Sequence, residues 1–340
     1  MTRLVPHEPP GAGLADRFGR VATDLRVSLT DKCNLRCTYC MPAEGLDWLP
    51  NPALLTDAEV VRLIDVAVHR LGVTDVRFTG GEPLLRRGLT EIVRAVAALP
   101  GRPRMMLTTN GIGLARLAAP LAEAGLDRVN VSLDTTDPAR FKAITRRDRH
   151  ADVVAGLAAS ADAGLLPVKM NAVLLRGIND DEAVPLLDFA LTHGYELRFI
   201  EQMPLDAGHT WRREEMITGE EILAALRTRY TLEPDPSTRG GAPAETWVVD
   251  GGPVKVGVIA SVSSPFCGAC DRTRLTADGA VRSCLFSQDE TDLRGALRAG
   301  ATDEELADLW RKAMWAKPAG HGIDDPKFLQ PARPMSAIGG

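Results

Sequence analysis

From Asp24 onward the chain alternates between two hydrophobic periods. Short β-branched runs with a two-residue repeat read as strands: DLRVSLT (24–30), VTDVRFTG (73–80), RMMLTTN (104–110), DRVNVSLD (127–134), PVKMNAVLL (167–175) and YELRFIEQM (195–203). Between them, apolar residues recur three and four positions apart. TDAEVVRLIDVAVHRLG (56–72) opens on Thr56 as an N-cap, carries Glu59 at the capping-box position and closes on Gly72. DDEAVPLLDFALTHG (180–194) predicts a helix that starts at Asp180 or Asp181, tolerates Pro185 in its first turn and ends on Gly194. Six strand–helix units imply a parallel sheet joined by right-handed crossovers. Six is two short of the closed eight-fold barrel, so the expected fold is α/β, a partial (β/α)6 TIM-type barrel. In such a barrel functional residues sit at the C-terminal strand ends and in the loops that follow.

After about residue 230 the pattern changes. EPDPSTRGGAPAE (233–245) is a Pro- and Gly-rich break, followed by TWVVD, VKVGVIASVS and a hairpin-like RLTADGAVRSCLF with Asp278-Gly279 at its turn. Helical stretches follow near 291–298 and at 302–317. The expected division is a flexible tail at 1–20, a barrel at 21–229, a smaller C-terminal α+β module at 230–325 and a tail at 326–340 ending in Gly339-Gly340.

Composition narrows the function classes. The 340 residues are 45% apolar and 25% charged, with a formal net charge of −5. That balance argues against a nucleic-acid binder, and an anionic ligand must be held by local Arg and Lys residues. No apolar run approaches the roughly 18 residues of a membrane span, and the N-terminus has no signal-peptide core. A cytoplasmic protein is expected.

The six cysteines fall into two triads: Cys33, Cys37 and Cys40, then Cys267, Cys270 and Cys284. Three disulfides would suit a small secreted scaffold, which this chain is not. Three thiolates on one short loop can ligate three irons of a [4Fe–4S] cube and leave the fourth open for a small molecule. Zinc is the alternative, but zinc takes four closed ligands, and the second triad would need His209 or His321 as the fourth. Two incomplete triads therefore suggest two [4Fe–4S] clusters, the second with its open iron towards substrate. Arg272 and Arg274 beside that triad suit an anion or a heterocycle edge.

Cys-x3-Cys-x2-Cys with Tyr39 before its last cysteine resembles the radical S-adenosylmethionine (SAM) superfamily signature. That resemblance implies a fold of the radical SAM type, with Tyr39 beside the SAM adenine and Ser132 and Met203 as further contacts. Gly81, in Thr79-Gly80-Gly81-Glu82-Pro83, resembles the segment that holds the methionyl amine; bottom-up, the pair marks a sharp strand-to-loop turn.

The wider set TDKCNLRCTYCMP, FTGGEPLLR, LTTNG, NVSLD, RFIEQM, FCGACDRTRL and the terminal Gly339-Gly340 resembles the GTP 3′,8-cyclase family, the molybdenum cofactor biosynthesis protein A family. The likeness runs from about Asp24 to the last residue. It implies that Arg26, Arg77, Thr108 and Lys169 contact GTP, with Arg272 and Arg274 at the substrate and the Gly-Gly tail in the active site. Many members have a lysine two residues before Arg77, where this chain has Asp75; the resemblance then implies that this contact is missing or passes to a cation such as Arg198. The implied reaction removes hydrogen from ribose C3′ of GTP and joins C3′ to guanine C8. Reduced flavodoxin or ferredoxin is the implied electron donor, cyclic pyranopterin monophosphate synthase the downstream enzyme, and a homodimer the implied assembly. The rival readings are another radical SAM enzyme such as a peptide-modifying maturase, a zinc-stabilised binding protein and an electron carrier.

Overall fold

The computed structural model describes residue 11 and residues 13–339. Each of the six expected strands forms, as β1 (Asp24–Ser28), β2 (Asp75–Thr79), β3 (Arg104–Thr109), β4 (Arg128–Ser132), β5 (Lys169–Val173) and β6 (Glu196–Ile200). They pair in sequence order, all parallel. Between them run α1 (Asp57–His69), α2 (Leu89–Ala97), α3 (Leu114–Glu123), α4 (Pro138–Thr145), α5 (His150–Asp162) and α6 (Ala183–His193). The apolar faces of these helices and the outward strand residues, such as Leu25, Val76, Leu107, Val129 and Met170, make one continuous core.

Beyond residue 200 come α7 (Gly219–Leu226), β7 (Leu232–Pro234), β8 (Glu245–Val249), β9 (Lys255–Ile259), β10 (Arg272–Leu275), β11 (Ala280–Arg282), β12 (Thr291–Asp292), α8 (Leu293–Arg298), α9 (Asp303–Trp315) and α10 (Met335–Ile338). The strands of this segment extend the barrel sheet from both sides rather than forming one of their own. β10 lies parallel beside β1, and β9 lies parallel beside β6. The sheet order is β12-β11-β10-β1-β2-β3-β4-β5-β6-β9-β8-β7. Its parallel run thus counts eight strands, two of them from the last third of the chain.

Local capping follows the sequence at α1, where Thr56 and Glu59 close a reciprocal capping box. At α6 the expectation is corrected. Asp180 and Asp181 do not start the helix, because residues 176–181 form a turn of their own. Asn179 Oδ1 accepts from Leu175 N at 2.7 Å, Asp180 Oδ2 accepts from Gly177 N at 2.9 Å, and Arg140 Nη1 holds Asp181 at 2.6 Å. The helix begins only at Ala183.

The N-terminal tail is a second correction for its described part; residues 1–10 and 12 lie outside the described residues. Leu14 is fully buried, and Ala15 bridges Val21 in antiparallel fashion. Asp16 accepts from the backbone amides of Phe18 at 2.8 Å and Arg20 at 3.1 Å. Arg20 then donates to the carbonyls of Cys267 at 2.7 Å, Ala319 at 2.8 Å and Pro318 at 2.6 Å. A Pro- and Gly-rich segment without periodicity is here fixed by one apolar anchor and one arginine.

Candidate active site

Strand alternation turns Arg26, Arg77, Thr108, Asn130, Ser132, Asn171 and Arg198 inwards, onto a cavity of about 400 Å³. All six cysteines reach this cavity, the first triad from the loop after β1 and the second from the segment leading into β10 and out of β11. Tyr39, Gly81, Ser132, Met203, Arg272 and Arg274 line it as well. Every expected site residue among the described ones therefore converges there except Lys169 and Gly339. Lys169 sits lower on β5 and is paired with Glu196 at 2.5 Å.

The first cysteine loop has no regular secondary structure and is held by its surroundings. Arg36 folds back to donate to the carbonyls of Cys33 at 2.7 Å and Leu35 at 2.8 Å, while its guanidinium covers the Trp48 ring. Gly81 N donates to Thr30 O and Glu82 N to Lys32 O, both at 2.7 Å. A Cβ on Gly81 would stand 2.3 Å from Lys32 O, and one on Gly80, whose φ is +147°, would stand 2.4 Å from Thr30 O. The glycine pair is thus required by the approach of two backbones, whatever else it binds. Glu82 completes the clamp, accepting from Thr109 Oγ1 at 2.7 Å and from the amides of Asn110 at 2.7 Å and Leu84 at 2.9 Å. Burial raises its carboxyl to about 7 against the pull of these donors. Tyr39 Oη donates to Asp134 Oδ2 at 2.8 Å, and burial raises Asp134 to about 6.

Burial pushes the three thiols of this loop up, Cys40 to about 12. Groups so reluctant to ionise alone suit ligands whose charge is taken up by a metal. Cys270 differs. Burial again raises it, but Arg272 and Lys317 outweigh that and bring it to about 7. Lys317, itself buried, donates to Cys270 Sγ at 3.3 Å and Arg272 O at 2.8 Å. Arg272 also packs over the Phe266 ring, 4.6 Å from its centroid.

Among the described residues the zinc alternative finds no fourth ligand. His321 lines the cavity, but its Nε2 lies 3.0 Å from Ser261 O and its Nδ1 accepts from Ile323 N at 3.1 Å, so both nitrogens are engaged. His209 lies outside the cavity. Among the described residues no three His, Cys, Asp or Glu side chains meet closely enough to share a single metal ion. Three soft thiolates per triad without a fourth fit a [4Fe–4S] cluster at each triad.

The floor of the cavity is cationic. One register row across β10, β1, β2, β3 and β4 reads Arg274, Arg26, Arg77, Met106 and Arg128. Arg26 has Asp24 at 3.5 Å; Arg26 Nε, Arg77 Nε and Nη1, Arg128 Nε and Arg198 Nε are buried without hydrogen-bond partners. Burial and mutual repulsion lower the pKa of Arg77 well below its ordinary value and bring Arg198 and Arg274 to about 9. Such a row is costly unless a polyanion lies in it. Asp75 does not project into it as a donor; its carboxylate is held by Arg104 Nη2 at 2.7 Å and Thr74 Oγ1 at 2.8 Å.

The C-terminal segment closes the site. Arg333 grips Asp278 at 2.9 and 2.8 Å and Glu290 at 2.8 Å. Ile338 is buried, and Gly339 O accepts from Arg274 Nη1. Gly340 lies outside the described residues. Sequence reasoning missed Glu82, Lys317, Arg20 and Arg128; of these only Glu82, inside the Gly-Gly-Glu-Pro run, carried a local signal.

Comparison with known proteins accords with this geometry. Residues 27–190 match the Radical SAM superfamily model, and residues 195–323 match that of Molybdenum Cofactor Synthesis C. A GTP 3′,8-cyclase of Streptomyces coelicolor is 69% identical over 328 residues, covering 96% of both chains. The chain belongs to the GTP 3′,8-cyclase family. A Mycobacterium marinum member of this family is 65% identical over 341 residues, covering 99% of this chain and 95% of the relative. Fold likeness reaches further than sequence: SuiB of Streptococcus suis, solved with S-adenosylmethionine, superposes with a TM-score of 0.58 at 14% identity, over 90% of this chain and 69% of that one. Among the described residues no helix is long and apolar enough to cross a membrane.

Proposed function

We propose that this enzyme converts GTP to (8S)-3′,8-cyclo-7,8-dihydroguanosine 5′-triphosphate, the first step of molybdenum cofactor biosynthesis, using two [4Fe–4S] clusters and SAM. The observation that carries the reading is one cavity with a cysteine triad at each of two walls and, between them, a row of arginines several of whose buried nitrogens lack partners. Cys33, Cys37 and Cys40 hold the SAM-binding cluster, with Tyr39, Gly81, Ser132 and Met203 around SAM. When bound, that pair supplies the radical that takes hydrogen from ribose C3′, which is the cofactor's chemistry rather than the protein's.

The chain's own contribution is positioning. Cys267, Cys270 and Cys284 hold the second cluster and orient the guanine, with Arg272 and Arg274 at its edge. Arg26 and Arg77 take the phosphates by charge-assisted hydrogen bonds, and their orphaned donors suit this. Thr108, donor and acceptor on the same wall, serves the nucleotide between them. Lys169 contributes through space from below, or exchanges Glu196 for a phosphate when substrate arrives. Gly339 holds the seam above Arg274 and keeps water out, and Gly340, which lies outside the described residues, completes the expected Gly-Gly tail. Reduced flavodoxin or ferredoxin as donor, a homodimer, a cytoplasmic location and cyclic pyranopterin monophosphate synthase as consumer of the product belong to the same proposal.

The test is anaerobic reconstitution with iron counting, EPR and product analysis. About eight irons per chain are expected for two cubes. GTP should shift only the EPR signal that Cys267→Ser abolishes, and Cys33→Ser should end SAM cleavage while GTP still binds. Zinc in the second site, or an EPR spectrum indifferent to GTP, would overturn the reading.

A further inference from the structure

The cation row extends beyond the residues assigned to substrate, and its last member is Arg128. Its backbone sits opposite Met106, which in turn sits opposite Arg77. Asn130 and Ser132 of the same strand line the cavity, so strand alternation puts Arg128 on the same face, two residues nearer the strand's start and just below the lining residues. Its guanidinium meets that of Arg77 over one weak acceptor: Arg128 Nη2 lies 3.0 Å and Arg77 Nη2 3.2 Å from Met106 Sδ. Arg128 Nε is buried with no hydrogen-bond partner. The carboxylates that act on it are already engaged, Glu196 by Lys169 at 2.5 Å, Asp75 by Arg104 at 2.7 Å and Asp24 by Arg26 at 3.5 Å.

Two arginines sharing a thioether are poorly satisfied, since sulfur is a weak acceptor and the like charges repel. A phosphate oxygen between them would satisfy both. The order of the row says which phosphate. Arg274 stands beside the second triad on β10, followed by Arg26, Arg77 and, on the far wall, Arg128. A phosphate chain that starts from a nucleoside held at the second triad passes Arg26 and Arg77 before it reaches β4.

We infer that Arg128 binds the terminal phosphate of the substrate and sets the preference for a nucleoside triphosphate over the di- and monophosphate. This rests on the GTP reading above and adds to it a residue and a specificity. Losing one charge-assisted contact weakens binding roughly 10- to 100-fold.

The test is equilibrium binding of GTP, GDP and GMP to the anaerobically reconstituted enzyme, without SAM or reductant so that nothing turns over. Arg128→Gln should weaken GTP roughly 10- to 100-fold, GDP less and GMP not at all, with iron content unchanged; Arg128→Lys should recover part of the loss. Unchanged GTP binding, or equal losses for GTP and GDP or for all three nucleotides, overturns the assignment. Should the glutamine variant fail to fold, the lysine variant carries the comparison: a smaller loss confined to GTP supports the inference, and a uniform or absent one ends it. Wild-type enzyme that binds none of the three nucleotides would instead sink the GTP reading.

Discussion

The backbone carbonyl of Gly339 rests on the guanidinium of Arg274, the residue that stands opposite Arg26 in the barrel sheet. The second-last residue of the chain is thereby joined to the floor of the cavity. Gly339 has a φ of +87°, and a Cβ there would stand 3.0 Å from both Ser28 Cβ and Thr79 Cγ2. Backbone strain of this kind costs about 1–3 kcal/mol. Gly339→Ala should therefore lower cyclisation roughly tenfold or more while leaving iron content and SAM cleavage unchanged. A variant that cyclised GTP at the wild-type rate would show that the seam is not needed.

Arg333 is what keeps that tail in place. Its guanidinium is shared between Asp278 and Glu290, on and beside the β10–β11 hairpin. Arg333→Ala should let carboxypeptidase trim the chain faster and reduce turnover in parallel. Arg333→Lys, with one contact in place of the fork, should fall between. Trimming at the wild-type rate would mean that packing of Ile338 alone holds the tail.

Lys317→Met should act on the second site only. The buried ammonium serves Cys270 Sγ and Arg272 O, and its loss leaves a buried carbonyl without its donor, at about 1–3 kcal/mol. The EPR signal that depends on Cys267 should shift or disappear, and the signal that depends on Cys33 should persist. Equal damage to both signals would point to general unfolding.

Glu59 gives a pH dependence with a definite sign. The Arg298 side chain, helped by the Thr56 amide, holds its carboxyl at about 2, below the ordinary 4.5. A depressed folded-state pKa contributes stability above the ordinary value, and that contribution is lost as pH falls through about 2. In denaturant unfolding, Glu59→Gln should be less stable than wild type at neutral pH. The gap should narrow below pH 4.5 and close near 2. A gap independent of pH would mean that charge plays no part.

Much of this was written locally. The period-two runs, the Thr56–Glu59 box and the cysteine spacings each depend on residues within one turn or one loop. What escaped depends on residues far apart. Nothing near Arg272 or Lys255 announces that β10 joins β1 and β9 joins β6, because strand pairing across more than fifty residues leaves no periodic mark. Arg128 and Lys169 both open a strand, and only the register separates a residue facing a shared thioether from one facing Glu196. Residues 13–20 lack periodicity, yet Leu14 and Arg20 each find a distant partner.

The two-sided extension of the sheet bears on how this chain is made. At residue 230 a nascent chain would already hold β1 to β6, with the outer edges of β1 and β6 still waiting for partners that arrive only with β9 and β10. Long-range parallel pairing of this kind is slow and leaves sticky edges exposed in the meantime. Folding of the part that carries Cys33, Cys37 and Cys40 is thus coupled to synthesis of the part that carries Cys267, Cys270 and Cys284. Chains truncated after the barrel sequence should aggregate rather than persist as a half-enzyme able to cleave SAM without a target.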